Sequence, residues 1–76
     1  MSFLLGAEAQ FRRRQAQPDA LDSWRDAEQL VRERWGEYRA APDEGRLGAF
    51  AAYMAALHAE EAAASQLASV TLADAA

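Results

Sequence analysis

Apolar residues recur at helical spacing through the middle of the chain. They stand three, three, four, four and three positions apart, at Leu21, Trp24, Ala27, Val31, Trp35 and Tyr38. This spacing places all six on one face of an α-helix. Glu28 precedes Arg32 by four residues, the favourable order for an ion pair along a helix. The pattern predicts an amphipathic helix over about residues 20–40.

A second helical pattern follows after a short interruption. Leu47, Phe50, Met54 and Leu57 step by three, four and three positions, and alanines surround them. We predict a helix over about residues 43–72. The connection at residues 41–45 contains Pro42 and is too short for anything but an antiparallel return. The predicted fold is therefore an all-α helical hairpin in which each helix turns its stripe toward the other.

The first 17 residues form a separate segment in this interpretation. Pro18 lacks an amide donor and restricts the residue before it, so we expect a helix boundary there. Phe3, Leu4 and Phe11 are the apolar residues of a short N-terminal helix or arm that docks on a partner. The alternative is that this helix folds back and completes a three-helix monomer.

The chain is too small to enclose its own aromatic residues. It has 76 residues, no cysteine and one histidine, so oligomerisation is the remaining remedy for a thin core. Two helices cannot surround two tryptophans, whereas two hairpins can pair into a four-helix bundle. We predict a protein-interaction module or accessory subunit that self-associates or docks on a larger complex. The predicted contacts are Phe3, Leu4, Phe11, Trp24, Val31, Trp35, Tyr38, Phe50, Met54 and Leu57.

Charge disfavours nucleic acid as a partner. The net charge is −4, and a backbone of phosphates would be repelled. Residues 12–14 are three consecutive arginines, which fit a solvated helix end better than a phosphate site. An acidic inhibitor or antitoxin covering a basic site is an alternative function. The chain lacks a signal-peptide pattern, and its arginine and alanine usage is typical of GC-rich bacterial genomes, so we expect a bacterial cytoplasmic protein without a membrane span.

Chemical motifs are sparse. His58 and Glu61 lie one helical turn apart, in the reverse order of the Glu-x-x-His motif of di-iron bundles. A dimeric ferritin-like metal site is therefore an alternative, against the simpler interpretation of solvated side chains. There is no cysteine nucleophile, no glycine-rich phosphate loop and no serine in a recognisable triad. We expect neither enzymatic activity nor a cofactor.

Overall fold

The protein is an all-α helical hairpin. The computed structural model describes the backbone of residues 2–75 and the side chains of residues 18–73. Helix α1 spans Ser2–Ala40, a single 3₁₀ turn spans Asp43–Gly45, and helix α2 spans Arg46–Ala75. The turn is closed by the Gly45 amide, which donates a hydrogen bond of 3.0 Å to the Pro42 carbonyl. The predicted end of the first helix, the proline-containing turn and the antiparallel return are confirmed.

The N-terminal segment differs from the prediction. The predicted helix boundary at Pro18 is not confirmed, since α1 spans Ser2–Ala40 and includes Pro18. A proline in a helix interior costs about 3 kcal/mol, but it removes only one hydrogen bond from a helix of 39 residues. The residues on both sides, rich in alanine, glutamine and arginine, favour the helix strongly. The segment therefore extends α1 rather than folding back as a third helix.

The two helices meet along seams with the alternating four- and three-residue spacing of coiled coils. The seam of α1 consists of Ala20, Trp24, Ala27, Val31, Arg34 and Tyr38, and Ala41 continues it just after the helix ends. The seam of α2 consists of Ala49, Tyr53, Ala56, Glu60, Ala63, Leu67 and Val70. All of them are buried or half-buried. Among residues 18–73, only Ala20 and Ala56 are fully buried, at 5% and 4% exposure.

The seam of α2 is not the stripe that the sequence predicts. Leu47 and Phe50 belong to the predicted stripe, yet they are 83% and 43% exposed. The residues facing α1 are instead shifted by about one position, and three of them are alanines, Ala49, Ala56 and Ala63. Small side chains let two helix backbones approach closely. The larger residues of α2 are consequently left on the flank of the hairpin.

The molecule is a rod rather than a globule. Its extents are 62 × 21 × 13 Å and its radius of gyration is 17.8 Å, against about 11 Å for a compact domain of this length. Its shortest dimension is close to the diameter of one helix, about 10–12 Å. Two helices side by side therefore form a single layer, and both broad sides of that layer face solvent.

Candidate protein-binding face

The larger seam residues all stand on one side of the hairpin. Each seam consists of two columns of residues seven positions apart. In α1 one column is Trp24, Val31 and Tyr38, and the other is mostly alanine. In α2 the column of larger residues is Tyr53, Glu60 and Leu67. The indole Nε1 of Trp24 donates a hydrogen bond of 2.9 Å to Oε1 of Glu60, which places the two columns of larger residues on the same broad side.

Aromatic rings pack together on this side near the turn. The ring centroids of Trp35 and Tyr53 are 5.1 Å apart, and those of Tyr38 and Phe50 are 5.6 Å apart. Trp35 also contacts Tyr38, at 5.6 Å. These are favourable distances for tilted aromatic pairs. Yet Trp35 and Phe50 each keep 43% of their surface exposed, so the cluster is well organised but only half covered.

The apolar surface continues along the hairpin away from the turn. A shallow, mostly apolar groove of about 520 Å³ is lined by Trp24, Ala64, Leu67, Ala68, Thr71 and Leu72. A second depression, of about 440 Å³, lies at the turn and is lined by Tyr38, Asp43, Arg46, Leu47 and Phe50. The guanidinium of Arg46 lies 5.4 Å from the centre of the Tyr38 ring, within cation–π range. Both depressions open on the same broad side.

We call this surface the apolar face. It is defined by Trp24, Val31, Trp35, Tyr38, Leu47, Phe50, Tyr53, Met54, Leu57 and Leu67. Seven of the residues predicted as contacts lie on it, namely Trp24, Val31, Trp35, Tyr38, Phe50, Met54 and Leu57. The other three, Phe3, Leu4 and Phe11, lie outside the described side chains.

Three residues of the apolar face were absent from the predicted contacts. Leu47 begins the predicted stripe of α2, and its position outside the seam leaves it exposed. Tyr53 and Leu67 flank that stripe in the sequence and turn out to be seam residues. Tyr53 and Leu67 each stand seven positions from Glu60, and this spacing could have identified them as one face of the helix. Because the residue between them is a charged glutamate, the three did not form a recognisable apolar pattern.

The opposite broad side has a different chemistry. Its residues are Asp26, Leu30, Glu33 and Glu37 on α1 and Ala52, Ala55, Ala59 and Ala62 on α2. Glu37 accepts two hydrogen bonds of 3.0 Å from Arg34, and Glu33 accepts one of 3.2 Å from Gln29. Among residues 18–73, its larger apolar side chains are Leu30 and Val70, and both are half-buried. The α1 half of this side is therefore an acidic, solvated surface, and the α2 half is a surface of alanines.

The candidate metal ligands do not form a cluster. His58 and Glu61 are both exposed on α2, and within residues 18–73 no three side chains of the metal-binding types come close enough to hold an ion. Glu28 lies 3.3 Å from Arg32, which confirms the ion pair predicted from the sequence. The neighbouring Glu60 is occupied by the indole of Trp24.

Two further observations concern membrane spans and similarity to other proteins. No helix in the described part of the chain has the length and apolar character that crossing a bilayer requires. No protein-family model, no curated protein and no solved structure matches this chain.

Proposed function

We propose that this protein is a protein-association module whose apolar face docks against another polypeptide. The observation that carries the proposal is the one-sided distribution of large apolar residues. All five aromatic residues between positions 18 and 73 lie on the apolar face, and none of the large side chains in that range is fully buried. Aromatic side chains supply much of the binding energy at protein interfaces.

The exposed area supports the same proposal. The chain exposes 5945 Å², whereas a folded monomer of 8.3 kDa is expected to expose about 4,600 Å². The excess is about 1,300 Å², and each side of a standard protein interface buries about 800 Å². Burial on this scale would bring the hairpin to the exposure of an ordinary globular protein.

Apolar burial also supplies a driving force. Completing the burial of one large side chain stabilises a protein by about 1.5–3 kcal/mol relative to full exposure. Trp35 and Phe50 are each 43% exposed, and Leu47 is 83% exposed. Covering these three together is therefore worth about 3 kcal/mol before the entropic cost of association.

Site-specific photocrosslinking in cells that make the protein tests the proposal. A photoreactive amino acid at Phe50 is expected to yield covalent adducts to a polypeptide. The matched control is the same amino acid at Ala59, an exposed position of the same helix on the opposite broad side. Adducts from position 50 but not from position 59 are the expected result. If neither position yields an adduct, or only position 59 does, the apolar face is not a docking surface.

A further inference from the structure

We infer that the occupant of the apolar face is a second copy of this chain, related by a two-fold axis that runs parallel to the helices. This inference rests on the proposed function and names the partner. Two hairpins stacked on their apolar faces form a four-helix bundle, in which each layer covers the other. In this arrangement both turns lie at the same end of the bundle.

The area that the whole chain exposes beyond a compact monomer is of the size that a stable dimer buries. Burying that excess of about 1,300 Å² on each copy would remove about 2,600 Å² in total from solvent. That value falls within the range of permanent dimers, about 2,000–5,000 Å². An identical rod offers an apolar face of equal length, so the full length of each face is covered.

Charges along the two edges of the apolar face select the orientation of the axis. On the α1 edge stand Arg25, Arg32 and Arg39, spaced seven residues apart and all exposed. The corresponding positions on the α2 edge are Leu47, Met54, Glu61 and Ala68. The α1 edge also includes Glu28, which pairs with Arg32, and it keeps a net positive charge. The α2 edge is mostly apolar and carries Glu61 and, at the turn, Arg46, which lies 4.0 Å from Asp43.

A two-fold axis perpendicular to the helices would lay the α1 edge of one copy against the α1 edge of the other. Six arginines and only two acids, Glu28 of each copy, would then line one seam, and repulsion between the like charges in excess opposes this arrangement. A parallel axis instead lays each α1 edge against the α2 edge of the partner. Because this axis runs along the rod, each residue has the same height along the rod in both copies.

The register of the hairpin then predicts an ion pair between copies. Within one chain the contacts Trp24–Glu60 and Trp35–Tyr53 set the level of each residue. In this register Arg25 and Glu61 of one copy stand at the same height, on opposite edges. The two-fold axis brings Arg25 of one copy beside Glu61 of the other, twice per dimer. Among side chains 18–73 neither residue has an ion-pair partner within its own chain.

The test is a charge-swap series measured by sedimentation equilibrium. Arg25→Glu and Glu61→Arg each place two like-charged pairs in the dimer, and each is expected to raise the dissociation constant about tenfold. The double variant restores both pairs with reversed polarity and is expected to return to within about twofold of the original. The matched control combines Glu61→Arg with Arg39→Glu, an exposed arginine of the same edge that stands level with Leu47 rather than Glu61. No recovery is expected for this combination. Circular dichroism checks that each variant remains helical.

A distance measurement tests the axis independently. Because the chain has no cysteine, Glu44→Cys in the turn provides a single site for a spin label. Turns at the same end place the two labels within about 30 Å. Turns at opposite ends would separate them by about 45 Å or more, since α2 has 30 residues.

Each outcome has a distinct meaning. A chain that sediments at 8.3 kDa at all concentrations, or a dimer with distant labels, overturns the inference. Crosslinking from Phe50 to a polypeptide of another mass would overturn it as well, while leaving the proposed function intact. A dimer with close labels and recovery in the double variant supports the inference in full.

Discussion

The free energy that the hydrogen bond between Trp24 and Glu60 contributes to the alignment of the two helices can be measured directly. Trp24→Phe keeps an aromatic ring in the seam and removes the indole donor. Glu60→Ala removes the acceptor, which lies 2.9 Å from the indole nitrogen. A double-mutant cycle compares the destabilisation of the double variant with the sum of the destabilisations of the two single variants. The difference is the coupling free energy between the two side chains.

The structure sets the size of that coupling. A hydrogen bond to a charged group contributes about 1.5–3 kcal/mol when it is well buried. Trp24 and Glu60 are both half-buried, so water competes for the carboxylate and we expect a coupling of about 1 kcal/mol. For a domain of this size, that corresponds to a difference of about 4–8 °C in Tm.

Thermal unfolding followed by circular dichroism at one fixed protein concentration measures the cycle. The matched control is a cycle of Trp35→Phe with Glu60→Ala, which removes the same indole group from a ring that makes no hydrogen bond to another described side chain. We expect this control to be additive within about 0.5 kcal/mol. Equal coupling in both cycles would show that the Trp24 indole donor does not align the helices.

Two further predictions concern the seam and the outer side of the hairpin. Ala56→Leu forces a large side chain between the helices, and urea unfolding is expected to show that the free energy of unfolding falls by about 1–3 kcal/mol. The control, Ala55→Leu on the exposed side, is expected to change it by less than about 0.5 kcal/mol. Similar losses in both variants would refute the close approach of the helices at Ala56. Gly36→Ala and Gly48→Ala place a methyl group where no atom beyond the local helix backbone lies within 4 Å. Each is expected to raise the free energy of unfolding by about 0.5–1 kcal/mol, so unchanged melting curves would contradict helical backbone at these two positions.

The parts of the fold that the sequence predicted well depend on local physics. The stripe from Trp24 to Tyr38 has one strong period. The turn combines Pro42 with two acidic residues and Gly45, a combination that is typical of a helix boundary. Both features act within a few residues of the chain, so the helical hairpin could be predicted from spacing alone.

The choice of seam on α2 could not be predicted in this way. The leucine–phenylalanine stripe and the alanine column are displaced by only one residue, about 100° around the helix. Hydrophobicity favours the stripe that starts at Leu47, but close approach of the two helix backbones favours the column of Ala49 and Ala56, which lies on the same side as the alanine column of α1. Only the packing of the two helices against each other decides between them.

The composition of the candidate face followed from side-chain size, whereas its location followed from packing. The sequence indicated that Trp24 and Trp35 were too large for a two-helix core. It did not indicate that the same broad side would also carry Leu47 and Tyr53. That side is chosen by the seam of α2, which leaves the larger residues together and exposed.

The aromatic cluster lies next to the turn, and this position bears on the order in which contacts between the two helices form during folding. Tyr38 and Phe50 are 12 residues apart along the chain, whereas Trp24 and Glu60 are 36 apart. Closing the longer loop costs about 1 kcal/mol more in chain entropy. We therefore expect the contacts beside the turn to form first during folding, and the rest of the helix pair to close outward from there. Substitutions at Tyr38 or Phe50 should accordingly slow folding, while those at Trp24 or Glu60 should mainly speed unfolding.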